Sequence, residues 1–287
     1  MRYAVLGSDS FSGKHFCRYL SESGVEVLPI GRTTDINSCG DHIASILKFW
    51  KPHYVVNFIA KGLVNESWAA PDQWLMTNTL SMTRLIEKMR HLPIVRYVHV
   101  STPEVYGSGT HTERSPYNPS TPYAVSKAAT EMMLFAYYKA YQFPCVITRS
   151  ANVYGSGQEK RVIPIAMKCK HEGTVFNMHG LGSSLRSFIH INDVCSATKL
   201  LAETGRNGEA YNISTKSVIS IRELVERIGC KYQSVPERLN KDHSYVLESD
   251  KIRALGWSDK ITLLEGLEQL WAEKLTSSNS HPSNEAA

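Results

Sequence analysis

Tyr3-Ala4-Val5-Leu6-Gly7-Ser8-Asp9-Ser10-Phe11-Ser12-Gly13 is the stretch whose reading decides the fold. A short apolar strand ends at one glycine, and a second glycine follows six residues later, where helical periodicity begins. Gly7 permits a tight turn and Gly13 lets a helix sit close to a sheet. The N–H groups at the helix start then suit a pyrophosphate. Ser10 stands where a middle glycine is expected. It is small enough to let Phe11 and its neighbours approach a phosphate, but the turn taken alone serves equally well as a plain structural turn. Outward from it, apolar runs predict strands over 3–6, 25–30, 54–59, 97–100 and 145–149. Helices are predicted over 14–23, 41–50, 71–90 and 123–141, with Pro122 a suitable first-turn residue. Strands alternating with helices cannot pair as hairpins. They must lie parallel, with right-handed crossovers covering both faces, which makes an α/β doubly wound parallel sheet.

Beyond about residue 155 the rhythm changes. Glycine and polar residues at 171–187 predict turns and short strands. A helix near 192–203, a strand at 210–213 and helices at 221–228 and 263–274 follow. The expectation is a smaller C-terminal lid inserted late in the chain. Residues 1–155 with about 187–213 form the sheet domain, 156–186 with 214–275 the lid, and the polar segment 276–287 a frayed tail.

The 287 residues are 42% hydrophobic and 21% charged, with a net charge of +5, as in an ordinary globular protein. No basic run or basic-aromatic stripe predicts a nucleic-acid surface, and no apolar run predicts a membrane span. The six cysteines include no C-x-x-C pair and sit partly in apolar runs, which fits reduced thiols in the cytoplasm and no metal site. The amino-terminal residues enter a strand without a basic-then-apolar leader.

Two features carry chemistry before any comparison. The second strand ends in Pro29-Ile30-Gly31-Arg32, with no carboxylate for a ribose diol. Arg32 can pair with a 2′-phosphate, favouring NADP over NAD, and an exposed loop arginine is the competing reading. Tyr123-Ala-Val-Ser-Lys127 puts a phenol and an ammonium one helical turn apart on one face. The cation is expected to draw the phenol down toward working pH, so that a phenolate can take a hydroxyl proton while hydride leaves the same carbon.

Ser101-Thr102-Pro103-Glu104-Val105-Tyr106-Gly107 follows the fourth strand, and Pro122-Tyr123 comes about twenty residues later. With the glycine turn, this arrangement resembles the extended short-chain dehydrogenases/reductases, in their nucleotide-sugar epimerase/dehydratase branch. The resemblance implies a Rossmann sheet with a substrate-binding lid, an NAD(P) cofactor and a nucleotide-diphosphate sugar as substrate. Thr102, Tyr123 and Lys127 match the triad. Ile59 and Ala60, in Asn57-Phe-Ile-Ala60, match a third-strand cofactor contact, and Asn78 matches a helical asparagine. Arg149-Ser-Ala-Asn152-Val-Tyr-Gly155 and Arg186-Ser-Phe-Ile-His-Ile-Asn-Asp193 resemble the segments that supply substrate contacts, so Asn152 and Arg186 become diphosphate candidates. Ser249 through Trp257 resembles a stretch near the family's end. Base contacts in this family come from the lid, which makes Arg161, Asn177 and Arg238 candidates. The helices over 71–90 and 122–141 resemble the family's dimerising pair, implying a homodimer.

By the same resemblance, Thr-x-Glu implies a nucleotide-sugar 4,6-dehydratase. Tyr123 and Lys127 would oxidise C4, and Glu104 would take the acidified C5 proton. Water would leave from C6, and the hydride would return to C6 to give a 4-keto-6-deoxy sugar. Many such enzymes carry Asp where this chain has Pro103; the GDP-mannose type lacks it too and resembles NADP users. If Glu104 only anchors its loop, the chain would be an NAD(P)H-dependent 4-keto-sugar reductase or a 4-epimerase. A non-catalytic cofactor-binding scaffold would ordinarily have lost the tyrosine or lysine, and both are present.

Overall fold

The structure, a computed structural model, describes residues 1–31, 36–237 and 244–279. Six parallel strands form the central sheet: β1 (Arg2–Leu6), β2 (Glu26–Ile30), β3 (Tyr54–Asn57), β4 (Arg96–Val100), β5 (Cys145–Ser150) and β6 (Glu209–Ile213). Their spatial order is β6-β5-β4-β3-β1-β2. The chain reverses its direction of travel across the sheet between β1 and β3, so a crevice opens at the carboxyl ends of those two strands.

Period-two alternation in each strand feeds two cores. Tyr3, Val5, Val56, Val98 and Val146 pack under the helices Phe11–Glu22 and Ile191–Thr204. Ala4, Leu6, Val55, Tyr97 and Ile147 pack under Ile36–Trp50, Met82–Met89 and Pro122–Tyr141. Both faces of the sheet are thus covered, which is why its strands read as nearly continuous apolar runs.

The predicted elements are present with shifted ends. β3 stops at Asn57, two residues short of expectation, because the chain turns there toward the crevice. The expected helix over 71–90 contains a π-helical turn at Leu75–Ser81. The helix Val162–Glu172 was not foreseen; Gly173 closes it in the left-handed conformation at φ 69°. The closing helix runs through Asn279, so residues 276–279 of the expected tail are helical.

A third apolar core, built on Tyr154, Ile163, Met167, Phe176, Leu224 and Leu267, belongs to the lid region. Three two-stranded pairs frame it: Asn152–Tyr154 with Phe188–His190, Leu185–Arg186 with Ile219–Ser220, and Phe176–His179 with Tyr232–Val235. Ile252 and Trp257, placed with the lid on sequence, instead pack into the core under the sheet. Trp257 Nε1 donates to Ser196 Oγ at 3.0 Å. Each of the five described cysteines is a free thiol, and no described helix is long and apolar enough to cross a membrane.

Candidate active site

The glycine turn forms the floor of the crevice. Gly7 has φ 74°, and a Cβ there would lie 2.9 Å from the Ile59 backbone nitrogen; a Cβ on Gly13 would lie 2.1 Å from the Gly7 carbonyl oxygen. Neither position tolerates a side chain. Ser10 does more than stay small. Its Oγ donates to the Gly7 carbonyl at 2.7 Å and accepts from the Gly13 N–H at 3.1 Å, capping the helix Phe11–Glu22. The first-turn amides of Phe11 and Ser12 have no intrahelical acceptor and suit a phosphate. These residues therefore fit a dinucleotide's pyrophosphate. Arg32 lies outside the described residues. Beside it, a Cβ on Gly31 would lie 3.4 Å from both Asp9 Cγ and Ser8 Oγ, so a carboxylate from the glycine turn stands at the end of β2.

Across the crevice, Ile59 and the exposed Ala60 follow β3. Asn57 Oδ1 accepts from the Ile59 N–H at 3.0 Å. Asn78 is buried in the π-helical turn. Its amide accepts from the Lys61 N–H at 2.8 Å and donates to the Lys61 carbonyl at 3.1 Å and to Ser126 Oγ at 2.9 Å. Its polar atoms thus clamp the loop after β3 to the Pro122–Tyr141 helix.

Thr121 caps the Pro122–Tyr141 helix by accepting from the Ala124 N–H at 3.1 Å, with Pro122 in its first turn. This fixes the partly exposed Tyr123 at the helix mouth. Thr102, itself buried, hydrogen-bonds the Tyr123 phenol, and its Oγ1 accepts from the Glu104 N–H at 3.3 Å in the turn Pro103–Tyr106. Burial, and next the Glu104 carboxylate, push the Tyr123 phenol up, while the Thr102 hydrogen bond and Arg161 oppose them. The structure therefore brings Thr102, Glu104, Tyr123 and Arg161 into one electrostatic neighbourhood. It differs from expectation in that the phenol is raised, because desolvation and the Glu104 carboxylate outweigh the Thr102 hydrogen bond and Arg161, and Lys127 is not among the groups that act on it.

Lys127 is 2% exposed, and burial lowers it to about 8 while Glu131 pulls the other way. Its Nζ donates to the Val100 carbonyl at 2.8 Å and lies 3.1 Å from His99 Nε2.

The lid wall collects Asn152 and Arg186. Tyr245 donates to Asn152 Oδ1 at 2.9 Å, and the Arg186 guanidinium lies 4.2 Å above the Tyr245 ring. Tyr245 also acts electrostatically on Tyr123, linking that wall to the phenol at the helix mouth. Arg161 Nη2 reaches from the lid helix to the Gly62 carbonyl at 3.3 Å. Asn177 is not gathered with these residues. Phe176 and Met178 turn into the lid core, so alternation leaves Asn177 exposed, accepting from Gln233 Nε2 at 2.8 Å. Arg238 lies outside the described residues.

Sequence reasoning missed three participants: His99, Glu131 and Tyr245. Glu131 is wholly buried and pairs with Arg149, whose Nε is 2.9 Å from Glu131 Oε2. Ser101 also donates to Glu131, and Tyr117 does so at 2.8 Å. This network ties the loop carrying Thr102 to the helix carrying Tyr123. The only sequence signal was spacing, since Glu131 lies one turn beyond Lys127 and two beyond Tyr123.

A dinucleotide crevice at a sheet switch point, with tyrosine, threonine and a buried lysine at its edge, defines a pyridine-nucleotide enzyme of the α/β class. Comparison with known proteins makes this specific. The model of the "NAD dependent epimerase/dehydratase family" matches residues 3–214, and the chain belongs to that family. It is 32% identical to the dTDP-D-glucose 4,6-dehydratase of Bos taurus over 80% of this chain and 70% of the relative. It is 30% identical to the dTDP-glucose 4,6-dehydratase of Xanthomonas campestris pv. campestris over 93% and 91% of the two chains. Among solved structures, the dTDP-glucose 4,6-dehydratase DesIV of Streptomyces venezuelae, with NAD bound, superposes with a TM-score of 0.88. Identity there is 29%, covering 97% of this chain and 98% of the other. The UDP-glucose 4-epimerase of Thermotoga maritima gives 0.89 at 25% identity, covering 96% and 100%.

Proposed function

We propose that this protein is an NAD(P)-dependent nucleotide-sugar 4,6-dehydratase, a lyase converting an NDP-hexose to the NDP-4-keto-6-deoxyhexose. The single observation that carries this reading is the Glu104 carboxylate held beside Tyr123 by the Thr102 turn. An epimerase or reductase needs the phenol and the lysine but no second base. The dehydratases among its relatives support the same choice.

Gly7, Ser10, Phe11 and Gly13 would hold the pyrophosphate, and Ile59, Ala60, Tyr123 and Lys127 would hold the nicotinamide end. The nicotinamide, when bound, supplies a hydride acceptor that later gives the hydride back. Burial raises the phenol, and the positive charge that an oxidised nicotinamide would bring favours its ionised form; as a phenolate, Tyr123 takes the C4 hydroxyl proton, with Thr102 hydrogen-bonded to its oxygen. The C4 ketone acidifies C5, and Glu104 removes that proton. Pro103 carries no titratable group, so Glu104 returns its proton to the hydroxyl leaving C6 as water; as hydride reaches C6, C5 regains a proton from water, and the proton that Tyr123 took from the C4 hydroxyl is released to replace it. Asn152 and Arg186 hold the diphosphate, an arginine fork suiting such a group. Arg161 closes the cleft between the lid and the loop after β3.

For the cofactor, Arg32 supports NADP. The Asp9 carboxylate beside Gly31 favours the ribose diol of NAD, because it would repel a 2′-phosphate.

Residues 1–155 with 187–213 work as the cofactor domain and 156–186 with 214–275 as the substrate lid, apart from the stretch of Ile252 and Trp257 that packs under the sheet. Two copies associate through the helical run 71–89 and Pro122–Tyr141. These helices are joined by Thr79 Oγ1 donating to the Ser126 carbonyl at 2.9 Å and expose Leu75, Met76, Leu80, Val125 and Met132. Light scattering should give twice the chain mass; a single-chain mass would remove the dimer.

The experiment that tests the function is incubation with UDP-, GDP-, dTDP- and CDP-hexoses, with and without NADPH. A product lighter by one water is expected. Gain of two hydrogens would mean a reductase, and an isomer of unchanged mass an epimerase.

A further inference from the structure

We propose that His99 is a positioning residue for the reaction: its unprotonated Nε2 is the acceptor that, with the Val100 carbonyl, holds the Lys127 ammonium beside the crevice. The proposal rests on the reading of Lys127 given above.

His99 is the next-to-last residue of β4 and is 1% exposed, a place where a buried strand ordinarily carries an apolar residue. Its ring is fully engaged. Nε2 is 3.1 Å from Lys127 Nζ. Nδ1 is 3.1 Å from the Tyr97 hydroxyl and 3.4 Å from Asn57 Nδ2. An ammonium only donates, so Nε2 must accept and the ring proton must sit on Nδ1, where it donates to the Tyr97 oxygen. The Tyr97 hydroxyl and the Asn57 amide each have Met82 Sδ as an acceptor at 3.4 Å, so this tautomer leaves neither donor stranded.

The groups around the pair leave His99 only this role. Burial and the Lys127 charge hold the imidazole well below its ordinary pKa, so it accepts without becoming a cation. Glu131, from Lys127's own helix, is the carboxylate that acts on the ammonium, but it is committed to Arg149, Ser101 and Tyr117. Tyr97 on β4 and Asn57 on β3 are the neutral groups facing the far nitrogen, and both direct their own hydrogens to Met82 Sδ. A neutral acceptor at 3.1 Å stabilises the charged form of Lys127 without neutralising the field that the reaction uses. Apolar filler at this position would leave the ammonium one backbone carbonyl and a desolvation penalty.

Two measurements test this. In the protein as purified, labelled with ¹⁵N-histidine, the His99 Nε2 resonance at pH 7 should be that of an unprotonated ring nitrogen and stay so down to pH 5. A protonated Nε2 at pH 7 overturns the proposal, and this measurement needs no variant to fold. Second, His99→Phe should move the alkaline limb of kcat/KM to lower pH by about one unit, since the charged lysine has lost an acceptor. His99→Gln, which can still accept, should recover most of that shift. An alkaline limb that stays in place in His99→Phe, or moves equally in both variants, reduces His99 to core packing. If instead Lys127→Met retains full turnover, the reading of the site fails while the tautomer result stands.

Discussion

Replacing Lys127 by methionine should abolish turnover and change how stability depends on pH. The side chain is 2% exposed, and burial brings it from an ordinary 10.5 to about 8. A folded-state pKa below the unfolded one means that, between those values, the unfolded chain binds the extra proton. Wild-type stability must therefore rise with pH across that window and be flat below it. The whole gap corresponds to about 3 kcal/mol, of which about 2 to 3 kcal/mol falls between pH 8 and 10. Methionine fills a similar volume and carries no charge, so the variant lacks the rise. At pH 7 its advantage is offset by losing the hydrogen bonds to the Val100 carbonyl and His99, about 1 kcal/mol each. Urea unfolding of both proteins at half-unit intervals from pH 6 to 10 measures the difference directly. Stability differences that run parallel across pH 8 to 10 would refute the burial argument. The same lysine is thus a stability cost at neutral pH that the chemistry requires.

Tyr123→Phe should stop turnover with cofactor affinity nearly unchanged, measured by nicotinamide fluorescence titration; retained turnover would remove the mechanism. Glu104→Gln should halt dehydration but still oxidise C4, giving a nicotinamide absorbance that appears and persists. The Glu104 carboxylate raises the Tyr123 phenol, so that oxidation should reach to lower pH in the variant than in wild type. Normal dehydration would sink the Glu104 assignment. Arg32→Ala should weaken NADP more than NAD, and Asp9→Asn should do the reverse; equal losses in both would leave cofactor choice to other residues.

The alternation of strands and helices was legible because a two-sided sheet must be apolar on both faces, and Val5, Val56, Val98 and Val146 display that plainly. Tyr123 and Lys127 were legible because a four-residue spacing sets them on one helix face, whereas Thr102 entered with the resemblance of its turn to the family's. What stayed hidden was chemistry assembled by long-range packing. His99 reads as a polar interruption in an apolar strand until Lys127 is placed against it from 28 residues away. Tyr245 reads as core until its hydroxyl meets Asn152, 93 residues earlier. Asn177 looked like a base contact because its segment is lid, but strand alternation turns it outward. The phenol's expected activation failed because spacing gives proximity and says nothing of desolvation.

The strand Tyr245–Leu247 lies parallel to Gly109–His111, just beyond the turn that carries Glu104. The wall of Asn152, Arg186 and Tyr245 is therefore closed by a segment synthesised more than a hundred residues after the phenol. A chain still short of residue 245 lacks both the hydroxyl that Asn152 accepts and the ring beneath Arg186, so this wall is among the last parts to be made.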